Sequence, residues 1–323
     1  MSKRQKIIGL IAGEQVQEVY FLQAAEVRTT KSGRPFLSAV LADSSGTIPV
    51  RVWDYTGNIT PDDAGTLVFV TGEVSRYRDQ LQIVADGVLL LMADETEGME
   101  MSDFIPTAPI DVTEALSYVE NTLLCVEDED YRTLCLAVFQ DWKDAFCVSP
   151  AAKSIHHAFL SGLLMHTAHI MELAADIARV YQNLVDYDLL ACGAFLHDIG
   201  KLKEFDLLPI GLVKDYSTQG QLMGHAVLGL EIIHDKAREL GINEEKELLL
   251  KHMLLSHHGM PEYGAAVTPG ILEAELLYHL DCIDSRTEIY REAMASIPAG
   301  KFSDYIYALG KRVYRHGMDT PQS

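Results

Sequence analysis

AFLHDIGK, residues 194–201, sets an imidazole and a carboxylate side by side behind an apolar Ala-Phe-Leu run. A charged carboxylate in such surroundings is costly unless it is paired, neutralised or bound to a cation. Residue types that hold metal ions recur on either side: His166 within GLLMHT, His225, the pair His257-His258, and Asp281 within LLYHLDCID. Any one of these histidines is most simply a packed or surface residue, but their combination points to a metal. All 12 histidines lie between His156 and His316. Around them apolar residues recur three and four apart over Phe159–Val180, Asp188–Leu196, Leu222–Leu240, Glu244–His257 and Ile271–Met294, with Gly200, Gly241 and Gly259 where helices could end. The pattern predicts an all-α domain.

The order His, His-Asp, His, His, Asp on successive helices resembles the signature of the HD superfamily of metal-dependent phosphohydrolases, with HDIGK at 197–201 its most specific segment. In that arrangement His166, His197, Asp198 and Asp281 would hold one ion. Asp198, having two oxygens, would bridge to a second ion held by His225 and His257, with His258 as helper or substitute. Nitrogen and oxygen donors without thiolate favour Mn, Fe, Co, Ni, Mg or Zn. Two ions about 3.5 to 4 Å apart activate water and stabilise both oxygens of a phosphoryl displacement. Lys201 is a candidate to neutralise charge on the phosphoryl oxygens, a solvated helix-end lysine being the alternative; His156 and His157 are candidates to face the substrate phosphate, or equally surface residues at a helix start. Asp284, one turn after Asp281, is a weaker ligand candidate, and His169 receives no role.

The N-terminal part reads differently. Short alternating segments at Val16–Arg28, Pro35–Ala42, Thr47–Trp53, Leu67–Tyr77 and Leu81–Leu91, with turn signals at Lys31-Ser32-Gly33, Asp43-Ser44-Ser45-Gly46 and Arg78-Asp79-Gln80, predict five strands in a small closed barrel. RPFLSAVLADSSGTIPVRVWD, residues 34–54, resembles the second and third strands of oligonucleotide-binding (OB) folds. That resemblance implies a face that stacks bases and grips phosphates, for which Arg34, Phe36, Arg51, Trp53, Arg76, Tyr77 and Arg78 are the candidates. For Phe36 and Trp53 a place in the barrel core is an equal alternative. The acidic stretch 93–111 reads as a linker, giving an OB domain over 1–92 and a helical domain over 112–323, with its catalytic core at about 156–285.

Net charge is −21, yet residues 1–92 carry 9 Lys and Arg against 10 Asp and Glu, so the acidity belongs almost wholly to the second part. A whole-surface electrostatic grip on nucleic acid is excluded. The early apolar stretch Ile7–Gly13 is too short for a membrane span and lacks a cleavage signal. Five cysteines, odd in number and without a C-x-x-C pair, fit a reducing cytoplasm.

An OB fold followed by an HD domain resembles the YhaM family of bacterial 3'-5' exoribonucleases. The markers are HHAFLSGLLMHT at 156–167, AFLHDIGK, GQLMGHAVLG at 220–229, LLSHHG at 254–259 and LDCID at 280–284. The resemblance implies removal of nucleotides from the 3' end of single-stranded RNA, with single-stranded DNA a further candidate, using Mn or Co in first place; a homo-oligomer is left open. The chain departs from the family pattern at Met165 and Cys282, neither a candidate ligand. Two other readings compete: an HD phosphohydrolase of a small nucleotide, against which the OB module weighs, and a non-catalytic RNA-binding protein, against which the full set of ligand types weighs.

Overall fold

The computed structural model describes residues 4–318 apart from 79, 93–94, 97, 100, 106, 153–158 and 209–210. The chain divides into two compact units, Met1–Thr107 with Leu207–Lys214, and Ala108–Asp206 with Asp215–Ser323. Most of the stretch read as a linker thus groups with the first unit.

In the first unit β1 (Gln15–Thr29), β2 (Pro35–Asp43), β3 (Gly46–Trp53), β4 (Thr66–Tyr77) and β5 (Gln80–Leu90) close a barrel in the order β1-β2-β3-β5-β4. The β3–β5 pairing is parallel and the others antiparallel. Closure depends on β1, whose first half pairs with β4 and second half with β2, the register shifting between Leu22 and Ala24. A bulge of this kind bends a strand so that it serves two neighbours. Alternation sends Leu37, Ala39, Leu41, Val50 and Val52 inward to meet Val16, Tyr20, Val68 and Ile83.

The second unit holds α1 (Val112–Leu124), α2 (Glu129–Val148), α3 (Gly162–Val180), α4 (Tyr187–Leu196), the single turn α5 (Lys201–Glu204), α6 (Thr218–Leu240), α7 (Glu244–Ser256) and α8 (Leu272–Ser296). Asp111, Asp128, Asp186 and Asn243 cap α1, α2, α4 and α7, each side chain accepting from backbone N–H groups of the first turn. α4 is the central helix: every residue from Leu189 to Leu196 is buried. Its Phe195 packs against Phe139 and Phe146, with ring centroids 6.1 and 6.0 Å away. A helix apolar on all sides must sit inside its unit, so its C-terminal end, His197-Asp198, is carried into the interior.

Boundaries differ in two places from those expected. α3 begins at Gly162 rather than Phe159, because Ser161 is left-handed at φ 61°. α6 begins at Thr218, four residues early, because the Ser217 side chain accepts from the Gly220 N–H. Two short two-stranded ribbons that the sequence did not suggest follow in the chain: β6 (Phe205–Leu207) pairs with β7 (Val213–Tyr216), Leu207–Lys214 grouping with the first unit, and β8 (Lys301–Phe302) pairs with β9 (Tyr314–Arg315).

Candidate metal centre and nucleic-acid face

His166 lies one turn into α3, His197 and Asp198 follow α4, His225 sits within α6, His257 ends α7, and Asp281 and Asp284 stand on α8. Two glycines bring these elements together. A Cβ on Gly200 would fall 1.9 Å from the His225 carbonyl oxygen, so only glycine admits the close approach of the HDIGK turn to α6. Gly224, at φ 72° and ψ 161°, breaks α6 just before His225, in a region nearly confined to glycine. The break frees the His225 backbone N–H from the helix ladder, and the N–H donates to Glu204 Oε1 at 2.9 Å.

The donors fall into two groups, His166 with His197 and Asp198, and His225 with His257 and His258. Asp198 faces both. Its Oδ2 lies 3.5 Å from His166 Nε2 and 3.4 Å from His197 Nε2, and its Oδ1 lies 3.5 Å from His225 Nε2 and 3.8 Å from His257 Nε2. Asp281 Oδ1 is 3.4 Å from His166 Nε2. His258 is half-buried beside His225, its ring centroid 5.2 Å away. Lys201 Nζ donates to Asp198 Oδ2 at 2.6 Å. His157 falls outside the described residues.

The hydrogen bonds of the rings decide whether this donor set suits a cation. Nδ1 of His197 donates to the Ala194 carbonyl at 2.8 Å and that of His257 to the Leu254 carbonyl at 2.7 Å. Nδ1 of His166 meets Asp284 Oδ2 at 2.6 Å and that of His225 meets Glu204 Oε1 at 3.3 Å. Every one of these partners is an acceptor, so each Nδ1 carries its proton and Nε2 is the atom turned inward, bare whenever the ring is neutral. Yet the Nε2 atoms of His166 and His197 are only 3.2 Å apart, and those of His225 and His257 only 3.3 Å. Lone pairs at that distance repel unless a proton or a metal cation lies between them. The residues therefore fit a divalent cation of the nitrogen- and oxygen-binding kind.

The electrostatics agree. Burial alone would push the Asp198 carboxyl up, but Lys201, His197 and His166 hold it well below the usual carboxylate range. Burial alone would push His166 down, but Asp198, Asp284 and Asp281 outweigh it and raise the ring to about 9. Burial, with His258 and His225 nearby, pushes His257 far down, leaving it neutral and able to donate a lone pair.

Two carboxylates that the sequence reading did not place as supports complete the centre. Glu204 holds both backbone and ring of His225. Asp284 holds His166 with one oxygen and His169 Nδ1, at 2.8 Å, with the other.

On the barrel, Phe36 and Trp53 pair across β2 and β3, their rings 5.0 Å apart. Trp53 is 50% exposed and neither ring joins the barrel core, so the core alternative for them fails. Arg34 pairs with Asp54 at 3.4 Å and Arg51 donates to the Val50 carbonyl. Tyr77 is 57% exposed at the β4–β5 turn, beside exposed Arg76 and with the Arg78 guanidinium 5.3 Å from its ring centre.

The fold and the site together define an HD-domain protein with an OB-fold module. The HD domain family matches residues 163–286 and the OB-fold nucleic acid binding domain family matches residues 23–91. The chain is 33% identical over 303 residues to 3'-5' exoribonuclease YhaM of Bacillus velezensis, spanning 94% of this chain and 95% of the relative. It is 30% identical over 313 residues to the Geobacillus protein of the same name, spanning 95% and 94%. The chain belongs to the YhaM 3'-5' exoribonuclease family.

Proposed function

We infer that this protein is a metal-dependent 3'-5' exoribonuclease acting on single-stranded RNA. The observation that carries the reading is the position of Asp198, one oxygen toward each of two histidine groups. His166, His197, Asp198 and Asp281 would hold one divalent ion, and Asp198, His225 and His257, with His258 beside them, a second. Mn or Co comes first among the candidates. Such a cation supplies Lewis-acid polarisation of a phosphoryl oxygen and acidifies water.

The chain's own groups do the rest. Asp198 concentrates negative charge where cations gather. Lys201 adds an ammonium beside it, against the charge that grows on the equatorial phosphoryl oxygens. Water adds to the phosphorus of the last phosphodiester, the bond to the 3' oxygen of the penultimate nucleotide breaks, and that oxygen takes up a proton. The direction of attack is inherited from the family. His157 is retained as a candidate contact to the phosphate.

The barrel binds the strand through Trp53, Phe36 and Tyr77, each ring worth about 1 to 3 kcal/mol per stacked base, with Arg34, Arg51, Arg76 and Arg78 toward phosphates. Single-stranded DNA is a second substrate on the same grounds, since stacking does not require a 2'-hydroxyl. No helix among the described residues is long and apolar enough to cross a membrane, and the five cysteines are free thiols. Both facts support a cytoplasmic protein. The test is digestion of 5'-labelled RNA with Mn: progressive shortening is expected for the native chain and none for Asp198→Ala. Intact RNA with the native chain sinks the reading.

A further inference from the structure

Residues 93–296 carry 13 Lys and Arg against 35 Asp and Glu, but residues 297–318 carry four against one. This basic segment contains the β8–β9 ribbon, in which Lys301 pairs with Arg315 and Phe302 with Tyr314. Ile297, Leu309 and Val313 pack it on Ile289 of α8, and Arg315 NH1 donates to the Met294 and Ile297 carbonyls. The ribbon is thus a fixed platform.

The ribbon and the connection between its strands hold four exposed rings in two pairs, Phe302 with Tyr314 at 4.9 Å and Tyr305 with Tyr307 at 5.2 Å between centroids. Tyr307 is 90% exposed. Among the described residues, Lys301, Lys311 and Arg312 are exposed and have no carboxylate partner. Beside the ribbon an open groove of about 940 Å³ runs along α8, from His279 and Cys282, which flank Asp281 in sequence, past Arg286 to Arg315.

We propose that this ribbon and groove form a second binding surface for single-stranded nucleic acid, on the helical unit itself. Arg312 Nε donates to the Ser303 carbonyl, the Arg312 guanidinium lies 5.7 Å from the Phe302 ring centre, and Lys311 Nζ lies 5.6 Å from that of Tyr290, so the cations sit among the rings with their charge unmatched by a carboxylate among the described residues. Exposed rings interleaved with such cations are what a single strand requires, bases stacking on the rings and phosphates meeting the cations. The rings are pre-organised, so little ordering entropy is lost on binding. A second copy of the chain fits less well, because a symmetric contact would set this positive surface against itself. The choice of RNA as ligand rests on the exoribonuclease reading, but binding can be read without turnover.

The test measures anisotropy of a labelled 20-nucleotide oligo(U) on the full chain with EDTA. Tyr305→Ser with Tyr307→Ser should weaken binding about 10-fold or more. Lys301→Gln with Lys311→Gln should weaken it and flatten the salt slope by about 1.4; this variant alters exposed side chains only, leaves the Arg312 bond to the Ser303 carbonyl in place and keeps the proposal testable should the tyrosine variant misfold. Hydrolysis of bis(p-nitrophenyl) phosphate with Mn should not change in either. Unchanged RNA affinity in both variants overturns the proposal, as does unchanged affinity with a fall in sedimenting mass, which would assign the surface to contacts between copies. A native chain that leaves RNA intact, with variants that still lose RNA affinity, would end the exoribonuclease reading and sustain this one.

Discussion

Glu204 reaches His225 twice, at the backbone and at the ring, so its loss should loosen a proposed ligand without removing one. Glu204→Ala is expected to lower Mn affinity about 10- to 100-fold, read by titration calorimetry, with Asp284→Ala acting likewise through His166. Nothing in KLKEF marks Glu204, which looks like an ordinary charged residue at a helix end; its role arises only when α5 meets α6 across Gly200. Asp284, by contrast, was visible as a residue one turn from Asp281, and what the sequence lacked was the direction of its side chain. The raised His166 also sets a pH dependence for the chelator-treated protein. Its folded-state value, about 9, lies above the ordinary 6.5 of a histidine. This contribution to stability is full below about 6.5 and is lost as pH rises through 9. Thermal melts of the metal-free chain should fall across that window, and Mn should offset the fall by replacing the proton.

At the level of elements, the turn and the kink around α6 matter more than helix propensity. Gly224→Ala has space for its methyl group, since the nearest neighbour is Glu204 Oε1 at 4.0 Å, and its cost is backbone strain of about 1 to 3 kcal/mol. Relaxing that strain continues the helix through residue 224 and turns His225 away, so metal affinity should drop more than the melting temperature does. An ordinary cap behaves in the opposite way. Asp128 caps α2 and pairs with Lys246 at 2.7 Å; Asp128→Ala should cost about 1 kcal/mol in denaturant unfolding and leave metal affinity alone. Strands and long helices were legible within a few residues because alternation and three-four spacing persist over many positions. The β8–β9 ribbon was not, because two-residue strands are shorter than any period and are held by Leu309 and Val313 packing on the preceding helix.

Across the whole molecule, each unit has its own hydrophobic core, one inside the barrel and one around α4. Metal saturation should therefore raise the calorimetric transition of the helical unit, by about 2.7 kcal/mol at 100 times the dissociation constant, and leave that of the barrel in place. Equal shifts in both would mean that the two cores unfold together. The order of the candidate donors along the chain is legible from residue types alone, whereas the position of Asp198 between two histidine groups required the folded geometry. The ammonium of Lys201, resting 2.6 Å from Asp198, carries this further. It supplies the buried carboxylate with a counter-charge from a residue only three positions along, so the cost of burying that charge is offset within a single turn of the chain.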